Sequence, residues 1–210
     1  MQRKKQAALI VQKHVGRLFP HPDIPLQHSS PYTLLIAVLL SARCTDKKVN
    51  EITPLLFAKA STPEAMILLT AEEIRAIIKP CGLSPRKAKA IRNLSMQLLT
   101  HFEAKVPQTL EELETLEGVG HKTASVVMTQ AFDKPAFPVD THIYRCSKRW
   151  GLSQGKTVTA VEKDLKKLFP SHRWAKLHLQ IIHYARAYCP AKKHRIETCP
   201  ICLELQSSAQ

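Results

Sequence analysis

The chain has no long apolar run. Its longest, LLIAVLL from Leu34 to Leu40, falls far short of the roughly 20 residues that cross a bilayer. The opening MQRKKQAALIVQKH is charged and then amphipathic, without a cleavable apolar segment, so neither a membrane span nor export is expected. Alternating strand patterns do not recur, and there is no internal repeat or low-complexity segment. Cysteine is sparse and uneven: Cys44, Cys81 and Cys146 stand isolated, while Cys189, Cys199 and Cys202 are bunched near the C-terminus. That distribution argues against a disulfide framework and for a reducing cytosol. Acidic residues are also scarce, 17 against 31 Lys and Arg, for a net charge of +14 and a pI near 9.7. The excess is spread along the chain rather than held in a tail. It describes a folded surface that meets phosphates, and makes nucleic acid the leading partner.

What is present is helical. Ala8, Val11, Val15 and Leu18 keep a helical period, as do Val158, Val161, Leu165 and Leu168, and then Trp174, Leu177, Ile181 and Tyr184. Thr62-Pro63 and Ser84-Pro85 read as a cap followed by proline at the first helical position, and Thr70 with Glu73 and Thr109 with Glu112 read as capping boxes. These signals predict an all-α protein of about nine or ten short helices. Pro-rich breaks at FPHPDIP (Phe19 to Pro25) and DKPAFPVD (Asp133 to Asp140) cut the chain into an amphipathic first helix, a long helical middle and a helical C-terminal third, and suggest two helical lobes.

The most informative stretch is LEGVGHKTASVV, from Leu116 to Val127. A helix beginning after Thr109 runs into Gly118-Val119-Gly120, and a second follows with Ala124, Val127, Met128 and Ala131 on one face. Two glycines flanking an apolar residue allow a tight turn and let backbone N–H groups approach a ligand. The next helix adds its positive N-terminal end to the same place. A merely tight helix–helix connection is the simpler alternative. Lys122 at the mouth of that helix reads, by itself, as one more phosphate contact. Asp140, eighteen positions on in PVDTHIYR, reads as an N-cap. His142 reads as structural, Trp150 and Trp174 as core, and Asp46 as a cap or a hydrogen-bonding group.

The pattern Leu-x-Gly-Val-Gly-x-Lys-Thr-Ala resembles the helix-hairpin-helix of DNA repair enzymes, which hold DNA through the backbone without reading sequence. With LLSARCTDKKVN (Leu39 to Asn50), CGLSPRKAKAI (Cys81 to Ile91) and VDTHIYR, the chain resembles the endonuclease III family along nearly its full length. That likeness implies two helical lobes with a DNA-binding cleft between them, one of residues 24–134 carrying the hairpin and one of residues 1–23 with 135–210 ending in the Cys-rich loop. It implies base excision repair by a bifunctional glycosylase that removes oxidised pyrimidines and cleaves the abasic site by β-elimination, on double-stranded DNA, in a cytoplasmic, nucleoid-associated monomer. Lys122 maps onto the Schiff-base amine and Asp140 onto the essential carboxylate. Gly118, Val119, Gly120 and Thr123 map onto the DNA-gripping hairpin. Arg43 and Leu83 map onto the side chains that fill the gap left by the flipped nucleotide. The family usually has Gln where Arg43 stands, which bears on the preferred opposite base. Two rivals are a noncatalytic hairpin module and a monofunctional glycosylase of the same fold. The adenine-removing branch lacks the Lys and carries an extra C-terminal domain.

Near the C-terminus the family commonly has Cys-x6-Cys-x2-Cys-x5-Cys around a 4Fe–4S cluster. Here Cys189-x9-Cys199 is longer, Cys199-x2-Cys202 is kept, and Ser208 stands where the fourth thiol belongs. Ser208 and His194 are the candidates for a fourth ligand. A cluster with an altered ligand, a zinc site and a metal-free loop are the three readings, since Cys-Pro-x-Cys suits iron and zinc alike. Lys192, Lys193 and Arg195 between the first two cysteines are expected to touch phosphate.

Overall fold

The computed structural model describes residues 2–208, and these contain α-helices and short 3-10 turns but no strand. The helices are α1 (Gln2–Leu18), α2 (Pro31–Ser41), α3 (Asp46–Phe57), α4 (Pro63–Leu68), α5 (Ala71–Ile78), α6 (Ser84–His101), α7 (Leu110–Thr115), α8 (His121–Phe132), α9 (Thr141–Arg149), α10 (Val158–Leu168), α11 (Trp174–Ala187) and α12 (Pro200–Ser207). The twelve exceed the nine or ten expected; α4 and α7, six residues each, are too short to show a period, and only their start signals at Thr62 and Thr109 announce them. The chain divides into two compact units: Ile24–Lys134, and the N-terminal segment through Asp23 together with everything from Pro135 onward.

In the unit of Ile24–Lys134, α2 is the centre. Every residue from Tyr32 to Leu40 is buried, so the apolar run seen in the sequence is a helix apolar all round because it is enclosed all round. It packs against α8, α3 and α6, while α4 and α5 lie on α6. Starts are set by small hydroxyl caps. Ser30, Thr45, Thr62, Thr70 and Thr109 each accept from a first-turn backbone N–H, satisfying a donor that the helix itself leaves free. Thr70 and Glu73 form a complete capping box. At Thr109 the hydroxyl bonds the Glu112 carboxylate instead, so that the box is half built. Ser84 is not a cap: it is the first residue of α6, and Leu83 occupies the N-cap position in the left-handed region.

The other unit packs α11 against α9 and α1, with α10 and α12 also on α1. Its core joins Val11 and Val15 of α1 to Phe137, Ile143, Trp150, Leu165, Leu177, Ile181 and Tyr184. Val158, expected on the buried face of α10, is 45% exposed, and Glu162 takes an inward place, its carboxylate meeting Lys166 at 2.5 Å. Tyr184 is fully buried, and its hydroxyl accepts from the Ile201 N–H at 2.9 Å, satisfying the polar end of a large apolar side chain. No helix among the described residues is long and apolar enough to cross a membrane.

Candidate active site and metal centre

The hairpin between α7 and α8 is built from backbone. Gly118 has φ +80°, open to glycine and strained for other residues. A Cβ there would lie 2.8 Å from the Ala90 Cβ and 3.1 Å from Leu39 Cδ1, so glycine is required by space as well as by angle. Val119 between the glycines is buried and pins the turn to the core, while Gly118 and Gly120 face solvent. Every earlier helix of this unit except α6 starts on a hydroxyl cap, but α8 starts on Gly120, with no side-chain cap. With no side-chain cap there, the positive end of the helix is turned toward an outside acceptor. Lys122 is exposed in this first turn and Thr123 is half-buried beside it, while His121 Nδ1 meets Glu114 Oε1 at 2.7 Å.

Two side chains of α6 hold the hairpin in place. Asn93 Nδ2 donates to Glu117 Oε2 at 2.6 Å. Gln97 accepts from the Glu117 N–H at 2.8 Å and donates to the Thr115 carbonyl at 3.1 Å. Neither residue carries a motif signal; only the Gln97-to-Thr115 and Asn93-to-Glu117 contacts reveal their role.

The same unit presents Arg43 and Leu83 on two loops. Both are exposed, and both adopt positive φ, 55° and 50°, a conformation that costs a side-chain-bearing residue energy and is kept where a loop needs a fixed aim. Leu83, 51% exposed, is not the core leucine that a Gly turn often precedes. Lys87, a buried ammonium, ties the elements that lead into the two loops, donating to the Leu40 carbonyl at the end of α2 at 2.8 Å and to the Cys81 carbonyl of the 3-10 turn at 2.9 Å. Burial pulls its pKa below the ordinary lysine value. Leu83, Arg86, Lys87, Leu39, Glu117 and Gly118 line a cavity of about 310 Å³ that runs from this loop pair to the hairpin.

In the other unit Asp140 is the N-cap of α9, its Oδ1 accepting from the Ile143 N–H at 2.8 Å. Further along, the same helix grips the cysteine loop. Arg145 donates to the Cys189 carbonyl at 3.0 Å, and Arg149 to Cys189 Sγ at 3.1 Å and the Pro190 carbonyl at 3.0 Å. His142 is half-buried and shares a hydrogen bond with Arg145 at 3.3 Å.

Cys189, Cys199 and Cys202 are buried, and their sulfurs with a ring nitrogen of His194 lie within 4.8 Å of one another, as one metal-binding group requires. The His194 Nε2 is buried without a protein partner. Ser208 is exposed, and its hydroxyl donates to the Glu204 carbonyl at 2.7 Å within its own helix end. Tyr184 Oη lies 3.4 Å from Cys199 Sγ. Hydrogen bonds from Cys146, first among several donors, drive the Cys189 thiol far below the usual thiol range, and the same contact pushes Cys146 up. Cys146, isolated in sequence, is therefore at the edge of this group in space. Lys192, Lys193 and Arg195 are exposed on the intervening loop.

A family model for HhH-GPD superfamily base excision DNA repair proteins matches residues 36–171. Endonuclease III of Bacillus subtilis (strain 168) is 41% identical over 198 residues, 94% of this chain and 90% of that protein. The chain belongs to the endonuclease III family. Two solved structures agree: a non-covalent endonuclease III–DNA complex and a trapped endonuclease III–DNA covalent intermediate. Each has a TM-score of 0.91 and 38% identity, over 98% of this chain and 98% and 99% of theirs. The protein is thus a base excision repair enzyme of the glycosylase and abasic-site lyase type.

Proposed function

We propose that this enzyme removes oxidised pyrimidines from double-stranded DNA and cleaves the resulting abasic site, with Lys122 as nucleophile and Asp140 as the assisting carboxylate. One observation carries the reading: an exposed lysine stands in the first turn of a helix that no side chain caps, on a glycine hairpin whose backbone can approach a phosphate closely. The covalent DNA intermediate known for endonuclease III supports an enzyme-borne nucleophile rather than water.

The neutral amine of Lys122 attacks the sugar C1′, the glycosidic bond breaks, and the base leaves with a proton. The sugar ring opens to a Schiff base with the amine. Loss of a C2′ proton then expels the 3′ phosphate, and water releases the enzyme. Asp140 stabilises the positive charge that develops on the sugar and relays protons to and from the amine; its seat at the N-cap fixes the carboxylate while one oxygen is engaged. Gly118, Val119, Gly120 and Thr123 hold the backbone of the strand, Arg43 and Leu83 fill the space left by the flipped nucleotide, and Lys192, Lys193 and Arg195 add phosphate contacts. With Arg43 in place of the usual Gln, the orphaned base meets a donor-only group.

Cys189, Cys199, Cys202 and His194 would hold a 4Fe–4S cluster, the orphaned His194 nitrogen standing in for the missing thiol. The cluster, when bound, supplies a cross-link that keeps the basic loop in shape. A second reading is favoured by the short 4.8 Å span of the donors, which approaches the edge of about 3.8 Å expected for one tetrahedral zinc ion. Visible absorbance and acid-labile sulfide in anaerobically purified protein mark the cluster; colourless protein with one zinc marks the ion. The cytoplasm, where thiols stay reduced, is the proposed location.

The test is borohydride trapping on duplexes carrying thymine glycol or an abasic site. Wild type is expected to give a covalent complex and Lys122→Ala none. Equal trapping by the variant, or none by wild type, overturns the Schiff-base assignment.

A further inference from the structure

The Tyr184 hydroxyl accepts from the Ile201 N–H at 2.9 Å, and Cys199 Sγ lies 3.4 Å from the same oxygen. A cysteine that ligates a metal is a thiolate without a proton, so the tyrosine O–H is the donor in that contact. Arg149 donates to a second sulfur, Cys189 Sγ, at 3.1 Å, and the same guanidinium nitrogen donates to the Pro190 carbonyl at 3.0 Å. Neither donor swings freely. The Tyr184 ring is fully buried, with the rings of Trp150 and Tyr188 at centroid distances of 5.6 and 5.2 Å, and Arg149 is anchored by its second acceptor.

We propose that Tyr184 and Arg149 are positioning residues of the metal group, and that their hydrogen bonds to two ligand sulfurs, with the neutral imidazole of His194 as fourth donor, raise its reduction potential above that of a four-thiolate site. The inference rests on the 4Fe–4S reading given above and adds what this chain's own residues do to that group. Charge decides the sign. Three thiolates and an imidazole carry one negative charge fewer than four thiolates, so an added electron meets less repulsion. A donor on sulfur draws electron density from the ligand and acts in the same direction. Burial of the three cysteines works the other way, because a negative group gains charge less readily away from water. The two donors and the imidazole offset that cost.

Glycosylase and lyase steps exchange no electrons, so the potential bears on the integrity of the loop rather than on bond cleavage. The same electrostatics that ease the gain of an electron oppose its loss. Oxidative loss of iron would remove the cross-link behind Lys192, Lys193 and Arg195, which are exposed on the loop between Cys189 and Cys199. The proposed substrates are themselves products of oxidation, so the enzyme works where such loss is a hazard.

Anaerobically purified wild type, Tyr184→Phe, Arg149→Met and His194→Cys are compared for iron content and, by spectroelectrochemistry, for midpoint potential. The potential is expected to fall in all three variants, most in His194→Cys, which restores a fourth thiolate. Tyr184→Phe keeps the buried ring and removes only the hydroxyl. A merely structural role gives the opposite sign, since a loosened loop admits water, which stabilises the added charge and raises the potential. An unchanged or raised potential in Tyr184→Phe overturns its donor role, and an unchanged potential in His194→Cys overturns that of the imidazole. Ferricyanide, each ion accepting one electron, should bleach Tyr184→Phe severalfold faster than wild type; equal bleaching overturns the protective role. Wild type without the visible absorbance of a cluster sinks the cluster reading and this inference with it, whereas iron-loaded proteins of equal potential sink this inference alone.

Discussion

The glycine hairpin and the cysteine loop both present groups to a charged partner, but one is made from backbone and the other from side chains. At the hairpin, Gly118 sits where no Cβ fits and Gly120 starts α8 with nothing to cap it. The ligand-facing atoms are N–H groups, and side chains such as Asn93 and Gln97 only brace the turn from behind. At the cysteine loop the backbone is a carrier. Three sulfurs and a ring nitrogen converge, and arginines from α9 hold their frame. A backbone site depends on the conformation a residue permits, whereas a side-chain site depends on the atoms that it brings. The two should therefore break differently.

The largest effect is expected at Gly118→Ala. The left-handed conformation costs a non-glycine residue about 1–2 kcal/mol and overpacking against Ala90 and Leu39 about 1–3 more, so the loss should be about 2–5 kcal/mol. Hydrogen exchange by mass spectrometry should show faster exchange over residues 110–132, with residues 174–187 protected as before. Equal acceleration of both segments would mean that the hairpin has no local role.

Cys199→Ser should act in the opposite place. Losing one ligand from a buried group costs about 2–4 kcal/mol when metal is present. The purified variant should hold less metal per chain than wild type, and exchange should rise over residues 189–207 while the hairpin segment is unchanged. In chelator-treated protein, wild type and variant should converge. A variant that keeps full metal content would remove Cys199 from the ligand set.

These two sites were not equally legible. The hairpin was plain because conformation is written locally: two glycines, an apolar residue between them and a helix start form one contiguous pattern. The same locality made Thr70 with Glu73 readable as a box, and let LLIAVLL show as apolar although not as the enclosed helix α2. Where a signal depends on partners far off in the chain, it failed. Ser84 looked like a cap because it precedes a proline, but Leu83 in its left-handed turn displaces it by one place. Cys146 looked isolated because Cys189, the group it influences, is 43 positions away. Lys87 has no pattern at all, since its role is two carbonyls on other segments. For the fourth metal donor, spacing pointed to Ser208, with His194 inside the loop as a second candidate, and only the fold brings His194 to the sulfurs and turns Ser208 back onto its own helix.

Bracing of the hairpin should be measurable separately from its shape. In Asn93→Ala the Glu117 carboxylate loses a charged-acceptor hydrogen bond on a half-buried surface, about 1 kcal/mol. Since Gly118 and Val119 stay in place, the thermal midpoint should move little while the affinity for abasic duplex falls. An unchanged affinity would show that Gln97 alone suffices to position the turn.

The smallest effect tests whether side-chain bonding in the cysteine-bearing unit matters away from the metal. Ser153, buried, donates to Asp164 Oδ2 at 2.6 Å and accepts from the Gly155 N–H at 3.0 Å, closing the loop between α9 and α10. The Ser153 hydroxyl holds the Asp164 carboxyl below its ordinary value, with Lys4 nearby at 3.7 Å adding to the effect. A carboxyl whose folded pKa is depressed binds fewer protons than its unfolded counterpart. It therefore stabilises the fold above the ordinary Asp range, and that stabilisation disappears as pH falls through the depressed folded value. Asp164→Asn should lower the thermal midpoint at neutral pH by the equivalent of less than about 1 kcal/mol, in keeping with a partly exposed pair. The gap between variant and wild type should close as the solution is acidified. A gap that stays constant with pH would mean that the charge of Asp164 contributes nothing, since the amide can keep the hydroxyl contact and only local packing would then differ.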